Sequence, residues 1–498
     1  MAHIYESKLA EQELMRHHLL VKSSETAVSF IGISNNSKET MPGDLFICKG
    51  FRFRPEYLVM AAQNGAVCYL SEEEIPGTDL PYILVSDVRK AQSVLARWFY
   101  DDPSRAFCLA GVTGTKGKTT TTHMIHGVMD AVEGQDTGYL SGIEHFAGGE
   151  VYAAHLSTPE SLELQKLYAE ARDNALPFVT SEISSQAYKV ERVFGQHFDY
   201  GVFLNISPDH ISPYEHPDMD DYLACKTALL RNSTVAIICR DTDYFDRVYA
   251  AALEDCEKVY LIGEEEDCDF RIHDIQRLRR GYSFRVTERE SGLTYTYSTP
   301  IDGVFNVKNA TCAIAIGRLR GGSPEVIAAA LQDLTVPGRG DIYEGGGVTV
   351  LVNYMHNGVS CRAVLERLTK EYPGSYITVV IGIRGHRSPQ RLKDVGEICG
   401  NYADRIYFTM DNPDYDDPKV LAERLAEAAA GRKAEVTVEP NRVEAVRQAI
   451  MEAPENSLVV LAGRGAEDTQ RVCGEQIPYE SDPSIAQRIL PLRDQAKQ

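Results

Sequence analysis

The sequence predicts an α/β protein of three domains, and three observations carry that prediction. Apolar runs of strand length alternate with helix-like stretches through the middle and the last third of the chain. A loop rich in glycine, threonine and lysine closes one such run and opens a helix-like stretch, as in a central parallel sheet of the P-loop ATPase type. The chain has 498 residues, enough for three domains of ~150 residues each. The expected boundaries are 1–102, 103–335 and 336–498.

Residues 1–102 hold short apolar runs, AVSFIGI (27–33), DLFICKG (44–50) and AVCYLSE (66–72), punctuated by Met-Pro-Gly and Asn-Gly-Ala. They predict a small α/β unit. A helix-like stretch from Val88 then stops at Asp102-Pro103. In the middle segment AFCLAGV (106–112), LPFVTSEI (176–183), YGVFLNI (200–206) and STVAIICR (233–240) read as buried parallel strands, with SLELQKLYAEARDNA (161–175) among the helices between them. The pattern resets at LTVPGRGDIYEGGG (334–347).

The last segment is the most regular. VTVLVNY, YITVVIGI, DRIYFTM, AEVTVE and LVVLAGRG alternate with VSCRAVLERLTK, RLKDVGEICGNY, PKVLAERLAEAAA and VEAVRQAIMEA, which predicts a Rossmann-like parallel sheet. No Gly-x-Gly-x-x-Gly follows its first strand, so no nicotinamide or flavin site is expected there.

Composition narrows the function classes. With 43% hydrophobic and 25% charged residues the chain is a folded one. No apolar run approaches the ~18 residues of a membrane span, and the charged N-terminus lacks a signal-peptide core. Eleven scattered cysteines without a Cys-x-x-Cys pair imply neither a zinc site nor a disulfide frame, so a reducing, cytoplasmic location is expected. Net charge is −21 and the pI near 5.1, which argues against nucleic acid or an anionic membrane as partner. A small anionic ligand would need local cations to overcome that field.

Such cations stand in the loop Gly111-Val-Thr-Gly-Thr-Lys-Gly-Lys-Thr-Thr-Thr121. Glycines let backbone N–H groups curl around phosphate oxygens, and the helix N-terminus adds partial positive charge. Lys118 would reach the β- and γ-phosphates and the Thr119 hydroxyl would ligate Mg²⁺. The strict pattern wants glycine six residues before Lys118, where Val112 stands. An ordinary glycine-rich turn explains Gly114 and Gly117 but not the Gly-Lys-Thr-Thr ending. No Asn-Lys-x-Asp base-reading element of a GTPase is present.

At this point the chain resembles the Mur ligases, ATP-dependent amide-bond formers of peptidoglycan synthesis. Gly114-Thr115-Lys116-Gly117-Lys118-Thr119-Thr120 is similar to their Gly-Thr-Asn-Gly-Lys-Thr-Thr, with Lys116 for the usual asparagine. Ser157-Thr158-Pro-Glu160, Glu182-Ile-Ser-Ser-Gln186, Asn205-Ile-Ser-Pro-Asp-His210 and Tyr222-Leu-Ala-Cys-Lys226 follow in the family's order. So do Gly303-Val-Phe-Asn-Val-Lys-Asn309 and Pro337-Gly-Arg339, which match stretches that hold the nucleotide. The resemblance covers nearly the whole chain. Within the family it is nearest to the branch that adds the third stem-peptide residue to UDP-MurNAc-L-Ala-D-Glu. Asp411-Asn412-Pro-Asp414 stands in place of that branch's Asp-Asn-Pro-Arg selector, Gly463-Arg-Gly-Ala-Glu467 in place of its Gly-Lys-Gly-His-Glu, and Arg387 matches an arginine that contacts the amino acid's carboxylate.

The resemblance implies an ADP-forming ligase with two Mg²⁺ sites and roles in cell-wall biogenesis, cell shape and division. Thr119 and Glu182 would hold the first ion; His210 and a carbamylated Lys226, its carbamate derived from CO₂, would hold the second. Ser37, Ser157, Thr158, Ser184 and Arg192 would contact the UDP-muramyl peptide, and a monomer is expected. Taken singly, Glu182 reads equally as a strand-end carboxylate paired to a cation, His210 as a loop cap and Lys226 as a solvated helix face.

Arginine in the selector recognises the distal carboxylate of diaminopimelate, which Asp414 would repel, so a lysine- or ornithine-type amino acid is expected. Asp414 also suits a turn or a helix cap. Asn36-Ser37-Lys38 for Asp-Ser-Arg, Asn353-Tyr-Met-His356 for Asp-Tyr-Ala-His, Gln186 and Ala466 depart from the family pattern. They keep two other readings open: a diverged ligase joining a different acid and amine, and a non-catalytic nucleotide-binding scaffold.

Overall fold

The structure, a computed structural model, describes residues 4–50, 53–209, 211–212, 215–336, 341–385 and 389–496. Two compact units divide the chain, Met1–Thr299 with Val304–Leu334, and Pro300–Gly303 with Thr335–Gln498.

The first unit contains two larger sheets. Its five-stranded sheet runs Leu20–Ser23, Tyr82–Val85, Cys68–Ser71, Asp44–Ile47, Gly32–Ser34, parallel except for the first. Leu45, Leu70 and Ile83 pack there against Leu14 and Leu95. The helix Val88–Phe99 starts at Asp87, whose carboxylate accepts the Arg89 and Lys90 N–H groups, and the chain breaks at Asp102, φ +43°. AVSFIGI reads as one strand but forms two. Ser29–Phe30 pairs with Tyr5–Glu6, and Gly32–Ser34 joins the five-stranded sheet.

The eleven-stranded sheet positions the P-loop. Its strand Cys108–Thr113 lies between Phe178–Glu182 and Phe198–Phe203, parallel to both, with Gly111 opposite Ser181 and Gly201. Ser233–Cys239 and Lys258–Gly263 extend it in parallel. Beyond them Phe270–Arg277, Tyr282–Glu288 and Thr294–Thr299 form an antiparallel meander that the apolar runs did not foretell. Those strands mix buried and exposed positions (burial along Tyr282–Glu288 alternates at Phe284 and Val286), so no continuous apolar run marks them.

In the second unit all five expected strands form. The sheet runs Asp341–Gly345, Val348–Asn353, Ser457–Ala462, Ile377–Ile381, Arg405–Phe408, Glu435–Val438, and every pair but the first is parallel. Alternate residues face opposite helix layers: Leu351, Val379 and Val460 meet Leu365 and Val395, while Val350, Val380 and Val459 meet Val446 and Ile485. Sequence reasoning missed the hairpin Thr469–Val472/Glu475–Pro478 and the last helix, Asp482–Ala496, whose interior Pro491 obscures the helical pattern. All eleven cysteines are free. Among the described residues no helix is long and apolar enough to cross a membrane.

Candidate active site

The loop between Cys108–Thr113 and the helix Lys118–Glu133 is clamped to the next strand's end. Thr115 N–H donates to Asn205 O at 2.9 Å, Lys116 N–H to Asn205 Oδ1 at 2.9 Å, and Asn205 Nδ2 returns a bond to Lys116 O at 2.9 Å. Thr115 Oγ1 lies 3.1 Å from the Tyr222 hydroxyl and accepts the Ser207 N–H at 3.0 Å. Gly117 has φ +89°, and a Cβ there would sit 3.0 Å from Asn309 Oδ1. Thus Asn309 packs on the loop, and no side chain caps the helix that begins at Lys118.

Two lysines converge on one carbonyl. Lys118 Nζ donates to Gly114 O at 3.0 Å and Lys226 Nζ to the same oxygen at 2.7 Å. Lys226 is 2% exposed, so it is not the solvated helix face that its sequence position also allowed. Burial, then the charge of Lys118, pushes its pKa well below the ordinary lysine range. No carboxylate among the described residues forms an ion pair with it. Beside this pair Glu182, 3% exposed, accepts the Thr119 hydroxyl at 2.8 Å and the Gly142 N–H at 2.9 Å on Oε2. Its Oε1 lies 3.8 Å from Lys118 Nζ. Lys116 pairs with Asp209 at 3.1 Å.

Hydrogen bonds hold the strand-end segment and the Lys226 helix together. His216 Nδ1 donates to Asp221 Oδ2 at 2.6 Å, and its Nε2 lies 3.0 Å from the Ser185 hydroxyl. The Thr158 hydroxyl donates to Glu182 O at 2.8 Å and accepts Ser184 N–H at 2.9 Å, while Ser184 caps the helix Ser185–Lys189. Ser157 flanks Gly142, whose Cβ position is 3.1 Å from the Ser157 hydroxyl. Arg192 reaches Glu160 at 2.8 Å, and Lys49 closes on the same carboxylate. Burial would raise the Glu160 pKa, yet Lys49 and Arg192 hold it below the usual carboxylate range. A cavity of about 240 Å³ opens here, lined by Lys49, Arg89, Gln92, Glu160 and Arg192 among others. Ser37 lies elsewhere in this unit, its carbonyl accepting Asn64 Nδ2 at 2.8 Å.

The second unit gathers Asp411, Asn412, Asp414, Gly463 and Glu467. Asp411, 1% exposed, accepts Arg464 Nη1 at 3.2 Å. Burial alone would raise its pKa, but Arg384 and Arg464 hold it below the usual range. Asn412 accepts Arg464 Nη1 at 3.0 Å and Arg471 N–H at 2.8 Å. Asp414 takes a left-handed backbone, φ +54°, and ties down the 469–478 hairpin: its Oδ1 accepts Gly474 N–H at 2.9 Å and lies 3.4 Å from Arg471 Nε. Its turn role is therefore real, and both contacts fall on one oxygen. Three expected site residues, His210, Arg339 and Arg387, lie outside the described residues. Gly142, Asn205, Lys49, Arg384 and Arg464 belong to these clusters and were not singled out from sequence. Asn205, which opens Asn205-Ile-Ser-Pro-Asp-His210, and Arg464, inside Gly463-Arg-Gly-Ala-Glu467, stood within motifs that could have flagged them.

A P-loop strand flanked by a buried glutamate and a buried lysine, followed by a Rossmann-like unit, is the arrangement of an ATP-dependent ligase. Comparison with known proteins agrees: residues 112–317 match the Mur ligase middle domain and residues 338–465 the Mur ligase, glutamate ligase domain. A UDP-N-acetylmuramyl-tripeptide synthetase of Lactobacillus delbrueckii subsp. bulgaricus is 35% identical over 501 residues, covering 96% of this chain and 97% of that protein. The UDP-N-acetylmuramoyl-L-alanyl-D-glutamate–L-lysine ligase of Enterococcus faecalis is 33% identical over 480 residues, covering 95% and 94%. The chain belongs to the Mur ligase family and is an ATP-dependent amino-acid ligase. A solved UDP-N-acetylmuramoyl-L-alanyl-D-glutamate–2,6-diaminopimelate ligase shares the fold at TM-score 0.63 and 22% identity, over 93% of this chain and 95% of that one. So does the MurF ligase of Thermotoga maritima in complex with ADP, at TM-score 0.59 and 19% identity, over 93% and 97%.

Proposed function

We propose that this enzyme joins a lysine- or ornithine-type amino acid to UDP-MurNAc-L-Ala-D-Glu with the free energy of ATP. The observation that carries the reading is the convergence of Lys118 and Lys226 on Gly114 O beside the buried Thr119–Glu182 pair. Joining a carboxylate to an amine in water is uphill. An acceptor carboxylate oxygen attacks the γ-phosphorus, ADP leaves, and the amine nitrogen then attacks the acyl carbon. Phosphate departs with the C–O electron pair, and the amine's proton passes to solvent. Two anions must approach each other in the first step, so Lys118 and the helix N-terminus neutralise the phosphates.

The residues present fit Mg²⁺. Glu182 is a buried carboxylate with an adjacent hydroxyl, an oxygen donor set without sulfur. When bound there, Mg²⁺ supplies charge stabilisation to the transferring phosphoryl group. A carbamate on Lys226 fits as well: burial pushes the amine toward its neutral form, the form that adds CO₂ with loss of a proton to solvent, and the anion so formed would face Lys118 rather than repel it. His210 and Arg339 are proposed to serve this site, and Arg387 the amino acid. Lys49, Arg89 and Arg192 surround a cavity suited to an anionic acceptor.

Lysine-type selection rests on Asp414, whose contacts among the described residues fall on Oδ1, and on the name of the Enterococcus relative. The proposal includes domains 1–102, 103–335 and 336–498, a monomer and a cytoplasmic setting. ADP release is to be measured with UDP-MurNAc-L-Ala-D-Glu and lysine, ornithine or diaminopimelate in turn. Lysine or ornithine should be favoured. Strong preference for diaminopimelate removes the Asp414 argument, and ADP release only with a different acid makes this a diverged ligase.

A further inference from the structure

Three side chains of the kinds that ligate metals converge at the helix Met219–Arg231. A ring nitrogen of His216, a carboxylate oxygen of Asp221 and Cys225 Sγ all lie within 4.8 Å of one another. Among the described residues no other group of three or more histidine, cysteine, aspartate or glutamate side chains is gathered so closely. Asp221 and Cys225 stand one helical turn apart on the same face, and His216 comes from the segment before the helix. No Cys-x-x-Cys spacing marks such a set, so a search for paired cysteines passes over it.

Each ligand's remaining polar atom already has a partner. Asp221 Oδ1 is held by Lys189 Nζ at 2.7 Å, which leaves Oδ2 turned to His216 Nδ1 at 2.6 Å. Burial would raise the Asp221 pKa, but Lys189 and His216 hold it below the usual carboxylate range. His216 is 0% exposed, and its Nε2 lies 3.0 Å from the Ser185 hydroxyl on the helix Ser185–Lys189. When Nδ1 binds a cation, the ring proton sits on Nε2 and is donated to that hydroxyl. A metal-bound histidine almost always donates its other N–H in this way, and a ligating carboxylate is itself hydrogen-bonded. Cys225 is half-buried and the Asp221 side chain is 27% exposed, so an ion can reach the cluster from solvent.

We infer that His216, Asp221 and Cys225 form a binding site for one zinc ion, with water as the fourth ligand. Nitrogen, oxygen and sulfur donors together suit Zn²⁺, whereas Mg²⁺ takes oxygen. The site is therefore chemically distinct from the Thr119–Glu182 donors. Ligand atoms around tetrahedral zinc stand ~3.3–3.7 Å apart, so Nδ1 and Oδ2 part slightly on binding and Sγ closes in. The thiol's proton passes to solvent as the Zn–S bond forms. The ion ties the segment holding His216 to the helix that carries Lys226. On that helix Tyr222 lies 5.0 Å from the His216 ring, and its hydroxyl is 3.1 Å from Thr115 Oγ1 of the P-loop. Zinc here stabilises the folded chain and takes no part in the ligation.

The test uses the full chain, stripped with chelator and dialysed into buffer with excess Mg²⁺ to occupy oxygen-donor sites. Calorimetric titration with zinc chloride should show one equivalent bound at micromolar affinity or tighter, and the melting midpoint should rise by a few degrees. Cobalt(II) chloride should produce the near-ultraviolet charge-transfer band of a cobalt–thiolate bond. Cys225→Ser should weaken zinc about tenfold or more and abolish that band, and Cys225→Ala gives the same readout should the serine variant fold poorly. Ser185→Ala leaves all three ligands in place and should weaken zinc about tenfold. Cys473→Ser, at an exposed cysteine, should change neither affinity nor band. Zinc bound no more tightly than millimolar overturns the inference. So does an affinity unchanged in the Cys225 variants or in Ser185→Ala, or a cobalt–thiolate band lost in Cys473→Ser instead.

Discussion

Lys226→Met separates catalytic from structural roles because the two move in opposite directions. Among the described residues Lys226 Nζ makes one hydrogen bond, 2.7 Å to Gly114 O, and it lies 4.8 Å from the centre of the Tyr222 ring. Losing a hydrogen bond to a charged donor costs about 1.5–3 kcal/mol. Against that stands the desolvation of the buried charged form, several kcal/mol, which no ion pair among the described residues offsets. Methionine nearly preserves the volume, so stability measured by urea unfolding should change by less than about 1 kcal/mol or increase. Activity should fall by about 10²–10³, the usual cost of removing one preorganised electrostatic group. The companion Lys226→Ala variant leaves room for a small acid, and acetate or formate should restore part of its ADP release if a carbamate is what Lys226 carries. Removing bicarbonate should lower wild-type activity for the same reason. Retention of a third or more of wild-type kcat/KM by Lys226→Met would refute the reasoning, as would destabilisation beyond ~2 kcal/mol.

Three further perturbations test other parts of the molecule. Arg442 and Asp482 form a fully buried bidentate pair at 3.0 and 2.6 Å; Arg442→Met alone should cost about 3–5 kcal/mol in urea unfolding, and Arg442→Met with Asp482→Leu far less. Gly117→Ala places a Cβ on Asn309 at a backbone of φ +89°; it should destabilise by about 1–2 kcal/mol and weaken ATP binding measured by calorimetry. Asp411 has a lowered folded pKa because Arg384 and Arg464 outweigh its burial. Its contribution to stability is therefore complete above the unfolded carboxylate value and is lost as pH falls through the folded one. Below pH ~4, stability of wild type should drop more steeply than that of Asp411→Asn, and equal slopes would contradict the assignment.

How much of this was legible in sequence depends on how locally each feature is encoded. Strands buried on both faces, such as Ser457–Ala462, are written as continuous apolar runs and were recognised as strands, although the run LVVLAGRG was carried three residues past its end. The half-exposed strands Phe270–Arg277 to Thr294–Thr299 have no such signature, since polar residues such as Arg271, His273 and Arg285 stand along them. In the site, residues embedded in a motif were found together. Lys118, Thr119, Glu182 and Lys226 lie up to 108 positions apart in the chain yet meet around Gly114. Arg384 escaped because its place in the cluster is fixed by contacts with Tyr354, Asp411 and Glu467, residues of other loops, and no spacing near it records them.

Burial decides what a charge can do in this chain. The net charge of −21 is spread over surface that water screens within about 8 Å at physiological ionic strength. Lys118, Lys226 and Glu182 sit inside the protein, where screening is weak and each neighbour counts. Two lysines on one carbonyl repel each other, and that repulsion lowers the Lys226 pKa further than burial alone. The repulsion vanishes if Lys226 becomes an anion, and it diminishes if an anionic phosphate settles against Lys118. The same strain thus favours a carbamate and a nucleotide together. ATP should accordingly bind more tightly to Lys118 in the presence of bicarbonate only if the phosphate end stays clear of the new anion. A carbamate on Lys226, whose Nζ lies on Gly114 O of the loop's own backbone, would itself repel the phosphates, and Mg²⁺ held by Glu182 and Thr119 would supply neutralising charge. Bicarbonate should therefore raise ATP affinity with Mg²⁺ present and lower it without, and affinity independent of bicarbonate in both conditions would overturn this coupling.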